Sequence, residues 1–333
     1  MRSIRFKEQF LEIIDQRLLP SQEKWVRCYS LEDIAQAIEM GAIRGSSTIV
    51  LSCLYGLQLE VSCSKHEHWN QYQPCWELAK KRLDLAISNS EIVGDLFKNI
   101  GDLICSAPNS SLMSVRNLLD EFVKDFSKGL MESPTAICSN IRTVFDDREL
   151  TLLTWAPPTT YSEASTVLLE ILKTLHGENR LKNAYLGVHP DIGTENLFTH
   201  DLDISGVPYF VMRNSELAKI MRSGEIDYLI LDAEYVASNG EVVSPHGSYA
   251  LAVMARYHQI EVWIIAQNDH VAADGDTGED VLRGLGPRHL KQVDLLPIDL
   301  VTGIITEEDV IETFYEGKWV RTKKKHSNSE KAS

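Results

Sequence analysis

The chain has 333 residues, 44% of them hydrophobic, which predicts sizeable cores and two domains, and leaves no room for wholesale disorder. A formal charge of -15 at pH 7 argues against a broad nucleic-acid-binding face, because neutralising phosphates requires clustered Lys and Arg. No apolar run approaches a membrane span and the N-terminus lacks the order of a signal peptide, so a soluble protein with no membrane partner is expected.

In chain order, the first strong periodic signal is SLEDIAQAIEMGAI, with apolar residues at Leu31, Ile34, Ala35, Ile38 and Met40 behind a Ser30/Asp33 capping box. It predicts an amphipathic helix. After RGSS comes TIVLSCLYGLQLEV, apolar on nearly every side, which predicts a buried helix. Further helical patterns at about 75–87, 91–105 and 112–145 make the first 145 residues a mostly helical domain. Six cysteines (Cys28, Cys53, Cys63, Cys75, Cys105 and Cys138) lie in this half without a C-x-x-C pair, which points to reduced thiols in a cytoplasmic protein.

After Asp147 short β-branched runs alternate with amphipathic ones: LTLLTW, EASTVLLEILKTLH, AYLGV, GTENLFTHDL, VPYFVM, NSELAKIMRSG, DYLILDA, YALAVMARYHQ, EVWIIA. This alternation predicts an α/β, Rossmann-like domain over 146–320, with a parallel sheet and helices on both faces. Residues 321–333 are polar and basic without apolar periodicity, and read as a disordered tail. In parallel sheets ligands bind beyond the carboxyl ends of the strands. The polar stretch DAEYVASNGEVVSPHGSY, Asp232 to Tyr249, follows such an end, which makes it a candidate binding loop. Within it Asn239-Gly240 supplies the backbone of a tight turn at the same edge, while Glu234 and His246 are the candidates for chemistry. His66-Glu67-His68 and the acidic NDHVAADGDTGED lack the ligand order of zinc or calcium sites, so no metal or other cofactor is expected. Ser244, His246 and Asp232 are the residue types of a nucleophilic triad, yet no nucleophile elbow accompanies them.

DQRLLP (Asp15 to Pro20), the block IRGSSTIVLSCLYGLQLE and the segment IDYLILDAEYVASNGEVVSPHGSYALAVMARYH together resemble the methylthioribose-1-phosphate isomerase family. That family shares its fold with ribose-1,5-bisphosphate isomerase and with the alpha, beta and delta regulatory subunits of eukaryotic initiation factor 2B. The resemblance extends over most of the chain, through ITEEDVI near its end. It implies a phosphate-binding turn at Arg44-Gly45-Ser46-Ser47, where the family has Arg-Gly-Ala-Pro. A Gly-containing turn opening a helix suits that role by itself, since it offers free amides backed by a guanidinium; the plainer reading is a helix end beside a solvated Arg44. Candidate ligand contacts are thus Arg44, Gly45, Ser46, Asn239 and Gly240.

The family's two proton-handling residues are a Cys and an Asp. The first falls on Ala156, within Leu153-Thr154-Trp155-Ala156 where the family has Leu-Thr-His-Cys; the second falls on Glu234, within Asp232-Ala233-Glu234 where the family has Gly-Ala-Asp. The family's Asn-Lys becomes Ser244-Pro245, its Gln-Gly-Ala-Arg becomes Gly193-Thr194-Glu195-Asn196, and its Arg-Pro-Thr-Ala becomes Ser90-Glu91-Ile92-Val93. Three functions are therefore carried forward. They are a homodimer that binds a phosphorylated sugar or nucleotide without the standard isomerisation, a working aldose-ketose isomerase that uses Glu234, and an initiation-factor-like regulatory subunit.

Overall fold

The computed structural model describes the chain except residues 1–2, 8, 20, 88–96, 98–99, 102–103, 105–110, 156–162, 189–196, 273–274, 276, 285–289, 292, 316–317 and 322–333, and excludes some further side chains, that of Ser46 among them. Three short strands come first: β1 (Ile4–Lys7), β2 (Phe10–Ile14) and β3 (Trp25–Cys28) form an antiparallel sheet in that order, with Ile4 opposite Ile13 and Leu11 opposite Cys28. This small sheet precedes the expected helices. Aromatic pairing holds it to them, with Phe6 stacked on Tyr55 at 4.5 Å.

Helix α1 (Leu31–Glu39) begins at the predicted capping box: Ser30 Oγ accepts from Asp33 N at 3.2 Å and Asp33 Oδ2 accepts from Ser30 N at 3.0 Å. α2 (Ser46–Cys63) buries most of its circumference, as its unbroken apolar run requires, and α3 (Trp69–Ala86) packs beside it through Trp69, Tyr72 and Trp76. Of the helix expected over 91–105, Phe97, Ile100, Gly101 and Ile104 are described and helical. α4 (Leu112–Val144) runs 33 residues, about 50 Å at the usual rise, and serves two cores. Its first part, from Leu112 to Leu130, packs with α1 to α3; Ile137, Cys138 and Ile141 pack under the large sheet.

That sheet has eight strands. β4 (Leu150–Trp155) lies inside it, β5 (Leu181–Gly187) and β6 (Tyr209–Met212) run outward on one side, and β7 (Tyr228–Asp232), β10 (Glu261–Ile265) and β12 (Gly303–Ile305) follow on the other. All five pairings among these six strands are parallel, as the alternating pattern predicts. β13 (Val310–Tyr315) and β14 (Lys318–Arg321) extend the β12 edge antiparallel, so Arg321 ends a strand and the rest of the expected tail lies outside the described residues. One face of the sheet packs on α4, α5 (Glu163–Gly177) and α6 (Leu197–Ile204), the other on α7 (Asn214–Ser223) and α8 (Ser248–Tyr257). A second sheet of three antiparallel strands, β8 (Tyr235–Val236), β9 (Val242–Pro245) and β11 (Val293–Leu296), stands beyond the carboxyl edge. Between them α9 (Gly278–Gly284) packs on β9.

Candidate functional site

The chain enters the large sheet at β4, moves outward through β5 and β6, then returns to place β7 on the opposite side of β4. Strand order reverses between β4 and β7, and a crevice for ligands opens at the carboxyl side of such a reversal. Trp155 ends β4 and Asp232 ends β7, followed by Ala233 and Glu234. The polar stretch singled out in the sequence thus starts at this point. It folds as a hairpin, not an open loop: Gly240 N donates to Ala237 O at 2.9 Å, Ala237 N to Glu241 O at 2.8 Å, and Gly240 has φ 86°. Asn239 helps close the turn, its Nδ2 donating to Glu241 Oε2 at 2.7 Å. Glu241 Oε2 also accepts from Gly278 N at 3.0 Å, tying the hairpin to the start of α9. Glu234 is half-buried at the foot of the hairpin, its backbone N–H donating to Val243 O at 2.8 Å.

The helical half reaches the same edge through the N-terminus of α2. Gly45 takes φ 86°, open to glycine alone, and no side chain caps the helix. Behind this turn the DQRLLP motif acts as a brace. Gln16 N donates to Ala42 O at 3.0 Å, Gln16 Nε2 donates to Arg44 O at 3.4 Å, and Asp15 holds Arg17 through a 2.6 Å ion pair. Arg17 beside Asp15 keeps that carboxyl below its ordinary range. Arg44 is half-buried and its Nε donates to Gly41 O at 2.8 Å. In front, Ser47 Oγ donates to Gln267 Oε1 just beyond β10 at 2.9 Å, with both residues buried. This bond pins the N-terminal turn of α2 against the carboxyl edge of the sheet. Ala156, Ser90 to Val93 and Gly193 to Asn196 lie outside the described residues.

Pairing partners in the site differ from those the sequence grouped together. Ser244 Oγ donates to Asp232 O at 2.6 Å and stands 2.9 Å from Ser248 Oγ, while His246 Nδ1 lies 2.8 Å from Asp294 Oδ1. The hydroxyl and the imidazole of the supposed triad thus bond elsewhere. Asp294, on β11, was not singled out from sequence; its Oδ2 also accepts from Gly247 N at 2.8 Å and Tyr249 N at 3.1 Å, capping α8. Trp155 was also missed. Its buried indole is clamped between Gly187 and Gly247, where added Cβ atoms would stand 2.6 Å and 2.4 Å from it, and its Nε1 has no hydrogen-bond partner. Burial alone pushes the carboxyl of Asp232 up to about 7. Burial likewise pushes the thiol of Cys28 up to about 11 and raises Cys53 and Cys138, the opposite of an activated thiolate. Among the described residues, no group of three or more His, Cys, Asp or Glu is arranged to hold a metal ion.

The family model described as "Initiation factor 2 subunit family" matches residues 42–313, which include the α2 turn, the switch point and the hairpin. The chain belongs to this family. Methylthioribose-1-phosphate isomerase of Pseudomonas putida is 24% identical over 93% of this chain and 92% of its own length, and that of Marinobacter nauticus 25% identical over 93% of each. Among solved structures, 5-methylthioribose 1-phosphate isomerase from Pyrococcus horikoshii superposes with a TM-score of 0.76 at 21% identity, covering 93% of this chain and 92% of that one. Subunit delta of the translation initiation factor eIF-2B from A. fulgidus superposes with a TM-score of 0.67 at 21% identity, covering 96% and 98%. The fold of this initiation factor 2 subunit family member is therefore shared with both of these solved structures. No described helix is long and apolar enough to cross a membrane.

Proposed function

We propose that this family member binds a phosphorylated sugar or nucleotide at the β4/β7 switch point and does not perform the standard isomerisation. The observation that carries this reading is the Ser47–Gln267 hydrogen bond, which sets the uncapped N-terminus of α2 beside the carboxyl edge of the sheet. A helix N-terminus and a nearby guanidinium suit a phosphate, and the hairpin behind Glu234 suits sugar hydroxyls. Arg44, Gly45 and Ser46 are the proposed phosphate contacts, with Asn239 and Gly240 shaping the far wall. Ala156 in place of a thiol, and the raised thiols of the buried cysteines, support binding over thiol chemistry. Thermal-shift measurements with 5-methylthioribose 1-phosphate and nucleoside monophosphates test it. Arg44→Ala should weaken the responding ligand about ten- to a hundredfold through loss of a charge-assisted contact. A wild-type protein that responds to none of these compounds refutes the reading.

A working isomerase is the second reading, favoured by two carboxyl groups, on Asp232 and Glu234, at one strand end. Glu234, with His246 in support, would then move protons between adjacent sugar carbons. Proton NMR of the protein with 5-methylthioribose 1-phosphate decides: appearance of a ketose signal establishes turnover.

We further propose that the protein is a cytoplasmic homodimer. The five described cysteines are free thiols, and Tyr249, Val253 and Tyr257 form a stripe along α8 that is 46%, 40% and 83% exposed. Sedimentation should give twice the 37.6 kDa monomer mass, and a monomer at micromolar concentration refutes the assembly.

A further inference from the structure

By the resemblance, Asp232 stands where that family has glycine, so it brings a carboxyl group that the resemblance does not assign. Its position follows from sheet register. Asp232 pairs with Ile265 across the parallel β7/β10 ladder, and Ile230 and Ile265 both face the core shared with α4 and α5. Asp232 therefore lies on that same face, at the carboxyl edge, with Thr154 on one flanking strand and Gln267 just beyond the other. Above this face lies the N-terminus of α2, held there by Ser47. The backbone carbonyl of Asp232 is engaged by Ser244, but its carboxyl has no hydrogen-bond or ion-pair partner among the described residues.

We propose that Asp232 binds the ligand as a neutral carboxylic acid that donates a hydrogen bond to a ligand oxygen, so that each sugar phosphate bound retains one proton on the protein. This rests on the sugar-phosphate reading given above. An ionised carboxylate at this place would repel a phosphate dianion, whereas the neutral acid offers the donor that an oxygen-rich ligand needs. The ionisable groups on surrounding elements are Arg44 before α2, Glu234 after β7, His246 before α8, Asp294 on β11, and His270 beyond β10. None of them contributes to the raised carboxyl, which burial alone accounts for. Deprotonation of Asp232 should therefore switch binding off as the pH passes neutrality.

Calorimetric titration of the full chain with 5-methylthioribose 1-phosphate tests this at pH ~7.5 and ~8.5, where the phosphate is a dianion throughout. Wild type should bind about eightfold more weakly at the higher pH, since only the protonated fraction is competent, and should take up close to one proton per ligand. Asp232→Asn, which keeps a donor and cannot ionise, should hold its affinity within about twofold across that step and take up none. A wild type whose affinity does not fall, or an Asn variant that falls as much, overturns the proposal and leaves sugar-phosphate binding standing. Absence of binding at both pH values removes both. Without ligand, the carbon-13 signal of the Asp232 carboxyl, assigned by its loss in Asp232→Asn, should titrate near neutrality, and a midpoint near 4 also overturns the proposal.

Discussion

Gly247→Ala tests the clamp around Trp155. Gly247 has φ 104°, and a Cβ there would lie 2.4 Å from Cζ2 and 2.8 Å from Cε2 of the indole. The indole is crowded at Gly187 as well, where an added Cβ would lie 2.6 Å from Cε3. A left-handed backbone costs an L-residue roughly 1–2 kcal/mol, and overpacking a rigid contact adds about 1–3, giving a loss of about 2–5 kcal/mol. For a chain of this length that lowers Tm by about 3–7 °C. Two other glycines separate the contributions. Gly206 has φ +67° with nothing within 4 Å, so Gly206→Ala meets only the backbone cost; Gly187→Ala meets the ring without a positive φ. In a Trp155→Leu background the steric part of Gly247→Ala should vanish, leaving about 1–2 kcal/mol in a double-mutant cycle. Differential scanning calorimetry of the set is the assay. A Gly247→Ala loss no larger than that of Gly206→Ala would refute the clamp.

Other perturbations follow from the same contacts. Raising the Asp232 carboxyl from 3.8 to about 7 makes the folded state bind the extra proton, so its contribution is full below pH ~4 and lost as pH rises through ~7. Asp232→Asn should remove that slope and, in urea melts near pH 8, be more stable than wild type by about 2–4 kcal/mol. Ser47→Ala leaves buried Gln267 Oε1 without its donor and should cost about 1–3 kcal/mol by denaturant titration; no measurable loss would mean that the two halves are held together elsewhere. Asp294→Ala removes two backbone caps from α8 and should cost about 1–2 kcal/mol, with faster amide exchange at Gly247 and Tyr249 as the local signature.

Local signals in the sequence carried far. The Ser30/Asp33 box, the all-apolar α2 and the alternation after Asp147 each encode their element within a dozen residues, and the elements formed where those patterns lie. The opening sheet was not legible because FLEII has apolar residues at positions 10, 11, 13 and 14, a spacing that suits a short strand or a helical turn equally. Only pairing with WVRC across ten intervening residues decides it. The site was harder to read for the same reason. Its position came from strand order, but Ser47 finds Gln267 across 220 residues and His246 finds Asp294 across 48. Asp232 was visible in the chain as one member of an unlikely triad; its isolation from partners is a property of the folded edge alone.

The long helix α4 has a consequence for anyone dividing this protein into pieces. Cutting after Val144 would strip Ile137, Cys138 and Ile141 from beneath the large sheet and leave Ile171, Leu172 and Leu175 of α5 facing water. Cutting before Leu112 would do the same to Leu54, Leu57 and Leu83 on the other side, since Val115, Leu119 and Val123 would leave with the second fragment. A fragment of either kind carries a bare apolar groove and should be recovered as aggregate. Complementation would require both fragments to be expressed together, with α4 serving as the spine on which they reassemble.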